Sequence, residues 1–176
     1  MKKNVLVFGL ISGLVVSVLM IVLMIFNNNH ADYDMSMLLG YTSMLAAFSF
    51  VFVGIKNYRD KYNGGLISFG KAFKMGLLIT LISSTMYVLT WLVIYYCFMP
   101  DFMDKYAAQM VQQAQSSGAG QAEIQQITAE MAKNQEMYKN PVFVILFTYL
   151  EVFPVGLLIT LISALILKRK AKPVVV

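Results

Sequence analysis

The sequence predicts an all-α membrane protein with four transmembrane helices and a helical extracytoplasmic hairpin between helices 3 and 4. Three observations carry that prediction. Of the 176 residues, 59% are apolar and only 13% charged, with a mean hydropathy of +0.67, too oily for a soluble fold. Four apolar stretches are each long enough to cross a hydrocarbon core of about 30 Å, which takes about 20 helical residues. The basic residues gather on one side of those stretches, as the positive-inside rule requires.

The spans fall at about 5–26, 35–55, 75–99 and 142–167, making residues 1–176 a single four-helix transmembrane domain. None contains Lys or Arg, and the last contains the one acid, Glu151. Apolar runs of this length without strict alternation indicate helices, because only structures that satisfy their own backbone groups can cross lipid. The opening "MKKNVLVFGLISGLVVSVLMIVLMIF" resembles a secretory signal in its basic start. Its apolar run exceeds the roughly 7–15 residues of such a signal, and "NNNHADYD" follows without a small-x-small cleavage site, so the first span is read as uncleaved.

Orientation follows from Lys and Arg near the span ends. Lys2, Lys3, Lys56, Arg59, Lys61, Lys71, Lys74, Lys168, Arg169, Lys170 and Lys172 share one side, eleven of the 14 basic residues. That side is the cytoplasm, both termini are cytoplasmic, and the expected location is a bacterial inner (cytoplasmic) membrane. The net charge of +5 is then a consequence of topology and of attraction to anionic lipid, and calls for no nucleic acid.

The connector "KNYRDKYNGGLISFGKAFK" has a turn at Asn63-Gly64-Gly65. After it, Leu66, Ile67, Phe69 and Phe73 stand among Lys71 and Lys74. This stretch either lies along the inner membrane surface or lengthens the third helix, its lysines snorkelling. The outer segment 100–140 is rich in Ala, Gln, Glu and Met and reads as two helices broken at "SSGAG", Ser116–Gly120. Its amphipathic pair rests on itself or the membrane surface, with a partner-binding arm as the alternative. Asn140-Pro141 then opens the fourth span as N-cap and first turn.

"GLLITLIS" occurs twice, at 76–83 and 156–163. Within each copy the small residues stand at i, i+4 and i+7: Gly76, Thr80, Ser83 and Gly156, Thr160, Ser163. Such stripes let helix backbones approach closely in lipid. Gly9, Gly13 and Ser17 form a like stripe in the first span, and Ser36, Gly40, Ser43 and Ala47 in the second. An inverted transport repeat would place both copies alike within their helices; instead one opens its span and the other lies past the middle. Because those helices run oppositely, both copies occupy the cytoplasmic half and face each other as an antiparallel pair. Matches upstream, Leu66/Leu146, Ser68/Thr148, Phe69/Tyr149 and Phe73/Phe153, keep a distant duplication open.

Glu151 is the residue that costs something. An acid at a helix centre costs around 2.5–3.5 kcal/mol on insertion scales, so it is expected to face the interior with a partner. Depth counting at about 1.5 Å per residue brings Tyr41 and Thr90 to its level as its natural hydrogen-bond partners. Pro154 removes the helix bond to the Leu150 carbonyl and predicts a kink beside the acid. Either a structural interhelical hydrogen bond or a proton or ion pathway uses such an arrangement.

Other chemistry is thin. His30, Asp32 and Asp34 are too loose a set for a metal site, and Asp34 suits a helix cap. Trp91, Tyr95, Tyr96 and Phe98 read as an interfacial aromatic belt. Cys97 is the single cysteine and has no adjacent base, the scattered Met residues suit packing, and phosphate loops, dinucleotide fingerprints and HExxH are missing. No cofactor, catalytic residue or metal is expected, and an enzyme is the least favoured class.

"SFGKAFKMG", "YYCFMPDFMDKY" and "EVFPVGLLITLISALILKRK", with the basic first helix, resemble an uncharacterised bacterial integral membrane family, domain of unknown function 4199. The resemblance spans nearly the whole chain. It implies four helices in the inner membrane and an accessory role beside a membrane glycosyltransferase or envelope system. It carries over Gly70, Lys71, Pro100, Glu151, Pro154 and Gly156 without assigning catalysis to any of them. The expected function is a small structural or accessory membrane protein contacting the bilayer and either a homo-oligomeric or another membrane-protein partner; the alternative is a proton- or ion-linked transporter subunit centred on Glu151.

Overall fold

A computed structural model describes residues 1–27 and 33–169, with no account of the side chains of 26–36. Six helices are described: α1 Lys2–Asn27, α2 Tyr33–Tyr62, α3 Phe69–Cys97, α4 Phe102–Ser116, α5 Gln121–Tyr138 and α6 Pro141–Leu167. Among the described residues there is no named strand, only an isolated antiparallel bridge between Ile67 and Arg169. Parts of α1, α2, α3 and α6 are long and apolar enough to cross a membrane: Lys2–Ile25, Met37–Tyr62, Phe69–Cys97 and Pro141–Leu167. The chain is a multi-pass membrane protein whose outer helix surfaces contact lipid.

Two boundaries differ from the sequence reading. α2 continues to Tyr62, beyond 55, and α3 starts at Phe69, before 75. From Phe69 the amphipathic stretch is therefore the first turns of a longer third helix, whereas Leu66 and Ile67 precede it. Gly64 and Gly65 explain the break: both have positive φ, 61° and 75°, a conformation open to glycine at no steric cost. Gly65 N–H donates to the Arg59 carbonyl at 2.9 Å, closing the end of α2.

The chain divides into two compact units. The first comprises Met1–Val88 and the chain from Tyr149 onward, the second Leu89–Thr148. In the first unit, α1, α2, the start of α3 and the end of α6 enclose a core of Val16, Ala47, Phe48, Val51, Ile55, Ala72, Met75, Ile79, Val152 and Ala164. Outward positions such as Leu10, Leu14, Leu38, Leu45, Leu158 and Ile162 are exposed and apolar, the inside-out economy of a lipid-facing surface.

The second unit holds the hairpin of α4 and α5. Gly118, with φ 79°, turns the chain between them, and Gln135 Nε2 donates to Asp104 Oδ1 at 3.0 Å across the pair. Tyr95, Met103 and Val144 form its buried apolar cluster, packed by Trp91, Phe102, Tyr106 and Tyr138. Trp91 meets Phe102 edge-on at 4.9 Å, and Tyr95 meets Tyr138 at 5.8 Å. Part of the expected aromatic belt thus fills a core. Asn140 Oδ1 accepts from Val142 N at 3.0 Å and caps α6.

Candidate functional site

The two copies of the octapeptide meet inside the first unit. Thr80 and Thr160 hydroxyls hydrogen-bond each other at 2.9 Å, and Thr80 Oγ1 also reaches the Gly156 carbonyl at 3.3 Å. A Cβ placed on Gly156 would stand 2.5 Å from Thr80 Cγ2, and one placed on Gly76 would stand 2.8 Å from Thr160 Cγ2. Glycine of each copy therefore receives threonine of the other. This reciprocity is that of a local two-fold relation between two antiparallel helices, the intrachain counterpart of a self-complementary interface. Thr80, Ser83, Thr160 and Ser163 are all buried.

The first helix joins by the same means. Gly9 lies against Ile82, where an added Cβ would come within 2.9 Å of Cβ, and Gly13 lies against Met86. Ser12 is the residue that the sequence reading passed over. Its hydroxyl donates to the Ala47 carbonyl at 2.9 Å and pairs with Ser83 at 3.0 Å, joining α1 to α2 and α3. Its spacing from Gly9 and Gly13 would have put it beside the stripe. Asn4 Nδ2 adds a bond to the Gly54 carbonyl at 2.7 Å. Ser17 is buried. The hydroxyl of Ser84 is buried without a hydrogen-bond partner among the described residues.

The stripe expected on α2 is divided. Ala47 is fully buried, Ser43 bonds back to the Gly40 carbonyl at 2.6 Å, and nothing lies within 4 Å of a Cβ placed on Gly40. Gly40 is thus not a close-packing position among the described residues. The side chain of Ser36, together with His30, Asp32 and Asp34, lies outside the described residues.

Glu151 requires the main correction. It was expected toward the interior, bonded to Tyr41 and Thr90, but it is exposed on α6. Val152 beside it is the fully buried residue. The reason is the packing stripe: Val152, Gly156, Thr160 and Ala164 recur every four residues on the buried side, and Glu151 lies roughly 140° around the helix from Gly156. Tyr41 is exposed as well, at 45%, and makes no hydrogen bond to Glu151. Thr90 is half-buried and belongs to the second unit. Exposed Pro154 lies inside α6, which continues through it as helix.

At the basic end of the first unit a polar latch gathers three chain segments. Arg59 Nη1 donates to the Leu167 carbonyl at 3.3 Å, ending α6 from a neighbouring helix. Its Nε pairs with Asp60 at 2.7 Å. Ile67 and Arg169 exchange backbone bonds of 3.0 and 2.8 Å. Lys71 Nζ donates to Asn63 Oδ1 at 2.8 Å and lies 5.0 Å from the centre of the Tyr58 ring, while Asn63 Nδ2 donates to the Leu66 carbonyl. Asn63-Gly64-Gly65 was the legible part of this arrangement.

A family model described as protein of unknown function (DUF4199) matches residues 7–169. No curated protein and no solved structure matches the chain.

Proposed function

The chain belongs to the DUF4199 family, whose description assigns no activity, and on that premise we propose that it acts as a structural or accessory subunit docking against another membrane protein. One observation carries this reading: the carboxyl of Glu151 stands on the exposed face of a membrane-spanning helix. A carboxyl at that depth is stabilised by a hydrogen-bond donor; the described residues supply none to Glu151, and on this reading a partner does. The proposal assigns no catalysis to the protein. It adopts cytoplasmic termini, supported by the placement of Lys and Arg, and the bacterial inner membrane that the family resemblance implies.

Purification from native membranes in mild detergent, with and without Glu151→Leu, tests the reading. A membrane protein retained at stoichiometric amounts by the native chain and lost from the variant is the expected result. Its identity decides whether the finer version, an accessory to a membrane glycosyltransferase or envelope system, holds. A native chain that retains neither an unlike membrane protein nor a second copy of itself overturns the docking role.

The second reading, a proton- or ion-linked transporter subunit, is favoured by Pro154, which withdraws a backbone donor from the Leu150 carbonyl next to Glu151. It predicts that Glu151→Gln abolishes pH-driven flux in reconstituted vesicles while the fold persists. Vesicles of the native chain that move no ion or solute under a pH gradient count against it.

A further inference from the structure

Glu151 and Tyr41 share a level and a predicament. Both are exposed polar residues of the first unit, and neither has a hydrogen-bond or ion-pair partner among the described residues. The Arg59 bond to the Leu167 carbonyl ties α2 to the end of α6. From Arg59 to Tyr41 the helix rises about 27 Å, and from Leu167 to Glu151 about 24 Å, at about 1.5 Å per residue. The difference is less than one helical turn. From the other end of α6, Pro141, Glu151 is about 15 Å along the helix, beyond the reach of a carboxyl toward water.

Each residue also extends a stripe that is packed lower down. Tyr41 stands two turns beyond Phe48, whose ring would meet a Cβ on Gly156 at 2.8 Å. Glu151 stands one turn beyond Val155 and two beyond Ile159, both packed against the core. Beside Tyr41 the exposed surface of α2 carries Thr42, Ala46 and Ser49 at i, i+4 and i+7. Thr42 and Ser49 already donate to carbonyls of their own helix, Leu38 at 2.7 Å and Ala46 at 2.6 Å. That surface admits close backbone approach and leaves no hydroxyl proton unused.

Resting on the accessory reading above, we propose that the docking partner is a second copy of this chain, Tyr41 of each copy donating its phenolic proton to the Glu151 carboxyl of the other. Identical chains insert with identical orientation, so in a parallel pair each level of one copy faces the same level of the other. Tyr41 is a donor at the level where the acceptor needs one, and a two-fold axis along the membrane normal makes the bond reciprocal. The described basic residues of the first unit lie toward the Arg59 end, far from that level. A tyrosine hydroxyl pairs with either the ionised or the neutral carboxyl.

The full-length chain in lipid vesicles, labelled for energy transfer between copies, measures the dimer as lipid dilutes it. Tyr41→Phe and Glu151→Leu are each expected to weaken dimerisation roughly tenfold, and Glu151→Gln, whose carbonyl still accepts, is expected to leave it near native. A native chain that is monomeric across the dilution, or a dimer indifferent to Tyr41→Phe and Glu151→Leu, overturns the proposal. In a Cys97→Ser background, Tyr41→Cys and Glu151→Cys on two differently tagged chains are expected to be joined by a bifunctional thiol reagent about 8–10 Å long, which spans the gap that the shorter side chains leave. Cross-linking found only within one chain carrying both cysteines places the pair inside a protomer and also overturns it. A monomeric chain that retains an unlike membrane protein through Glu151 sinks this inference and leaves the accessory reading standing.

Discussion

Thr80 and Thr160 hydrogen-bond each other at 2.9 Å where two identical octapeptides cross. Each threonine also covers the glycine of the opposite copy. One contact thus performs two tasks: the methyl groups fill the space left by the missing Cβ atoms, and the hydroxyls satisfy each other where water is excluded. The repeat is accounted for by this crossing, since one sequence supplies both halves of a reciprocal surface.

Gly156→Ala is expected to destabilise the protein by about 1–3 kcal/mol, the usual range for overpacking, because its Cβ meets both Thr80 and Phe48. Gly40→Ala meets nothing within 4 Å and is expected to gain roughly 0.5–1 kcal/mol from helix propensity. Denaturant unfolding in mixed micelles reads both. Equal effects at the two glycines would discard the packing assignment.

Thr80→Val and Thr160→Val each strand a buried partner and are expected to cost roughly 1 kcal/mol, within the range measured for interhelical hydrogen bonds in membranes. The double variant is expected to cost less than the two added together, since neither hydroxyl remains to be stranded. A double-mutant cycle with no coupling would mean that the 2.9 Å contact contributes nothing.

Neighbouring serines should respond oppositely. Ser83→Ala removes the bond to Ser12 and is expected to destabilise by about 1 kcal/mol. Ser84→Ala removes a hydroxyl that has no partner among the described residues, so its expected effect is neutral to stabilising. The same unfolding assay decides the sign.

Outside the membrane spans, Asp101 responds to pH through Lys105. The ammonium hydrogen-bonds the carboxylate at 2.7 Å and holds the Asp101 carboxyl below its ordinary range. A lowered folded value stabilises above the unfolded value of about 3.9, and the contribution disappears as pH falls through the folded one. Lys105→Gln is expected to move the Asp101 midpoint upward, which carboxyl-carbon NMR measures directly. An unmoved midpoint would detach the shift from this ion pair.

Hydropathy made the four spans legible because length alone identifies a crossing helix. Rotation about the helix axis was much less legible. α6 is apolar around most of its circumference, so polarity does not distinguish its buried side from its lipid side. Glu151 was therefore placed by the general expectation for intramembrane acids. The small residues held the better signal: an axis drawn through Gly156 and Thr160 already turns Glu151 outward. The latch formed by Arg59, Ile67 and Arg169 was illegible for another reason, because backbone pairing between segments about a hundred residues apart leaves no local pattern in either.

That latch also bears on how the molecule is built during synthesis. α2 and the start of α3 leave the ribosome well before Arg169 exists, so the Ile67 amide and carbonyl and the Arg59 guanidinium must wait for the chain after α6. The closing contact joins residues far apart in sequence, and such contacts form late because the entropy of the intervening loop must be overcome first. During synthesis the first connector thus precedes its closing partners, and the basic end of the first unit is sealed only when the residues that follow the last membrane helix reach it.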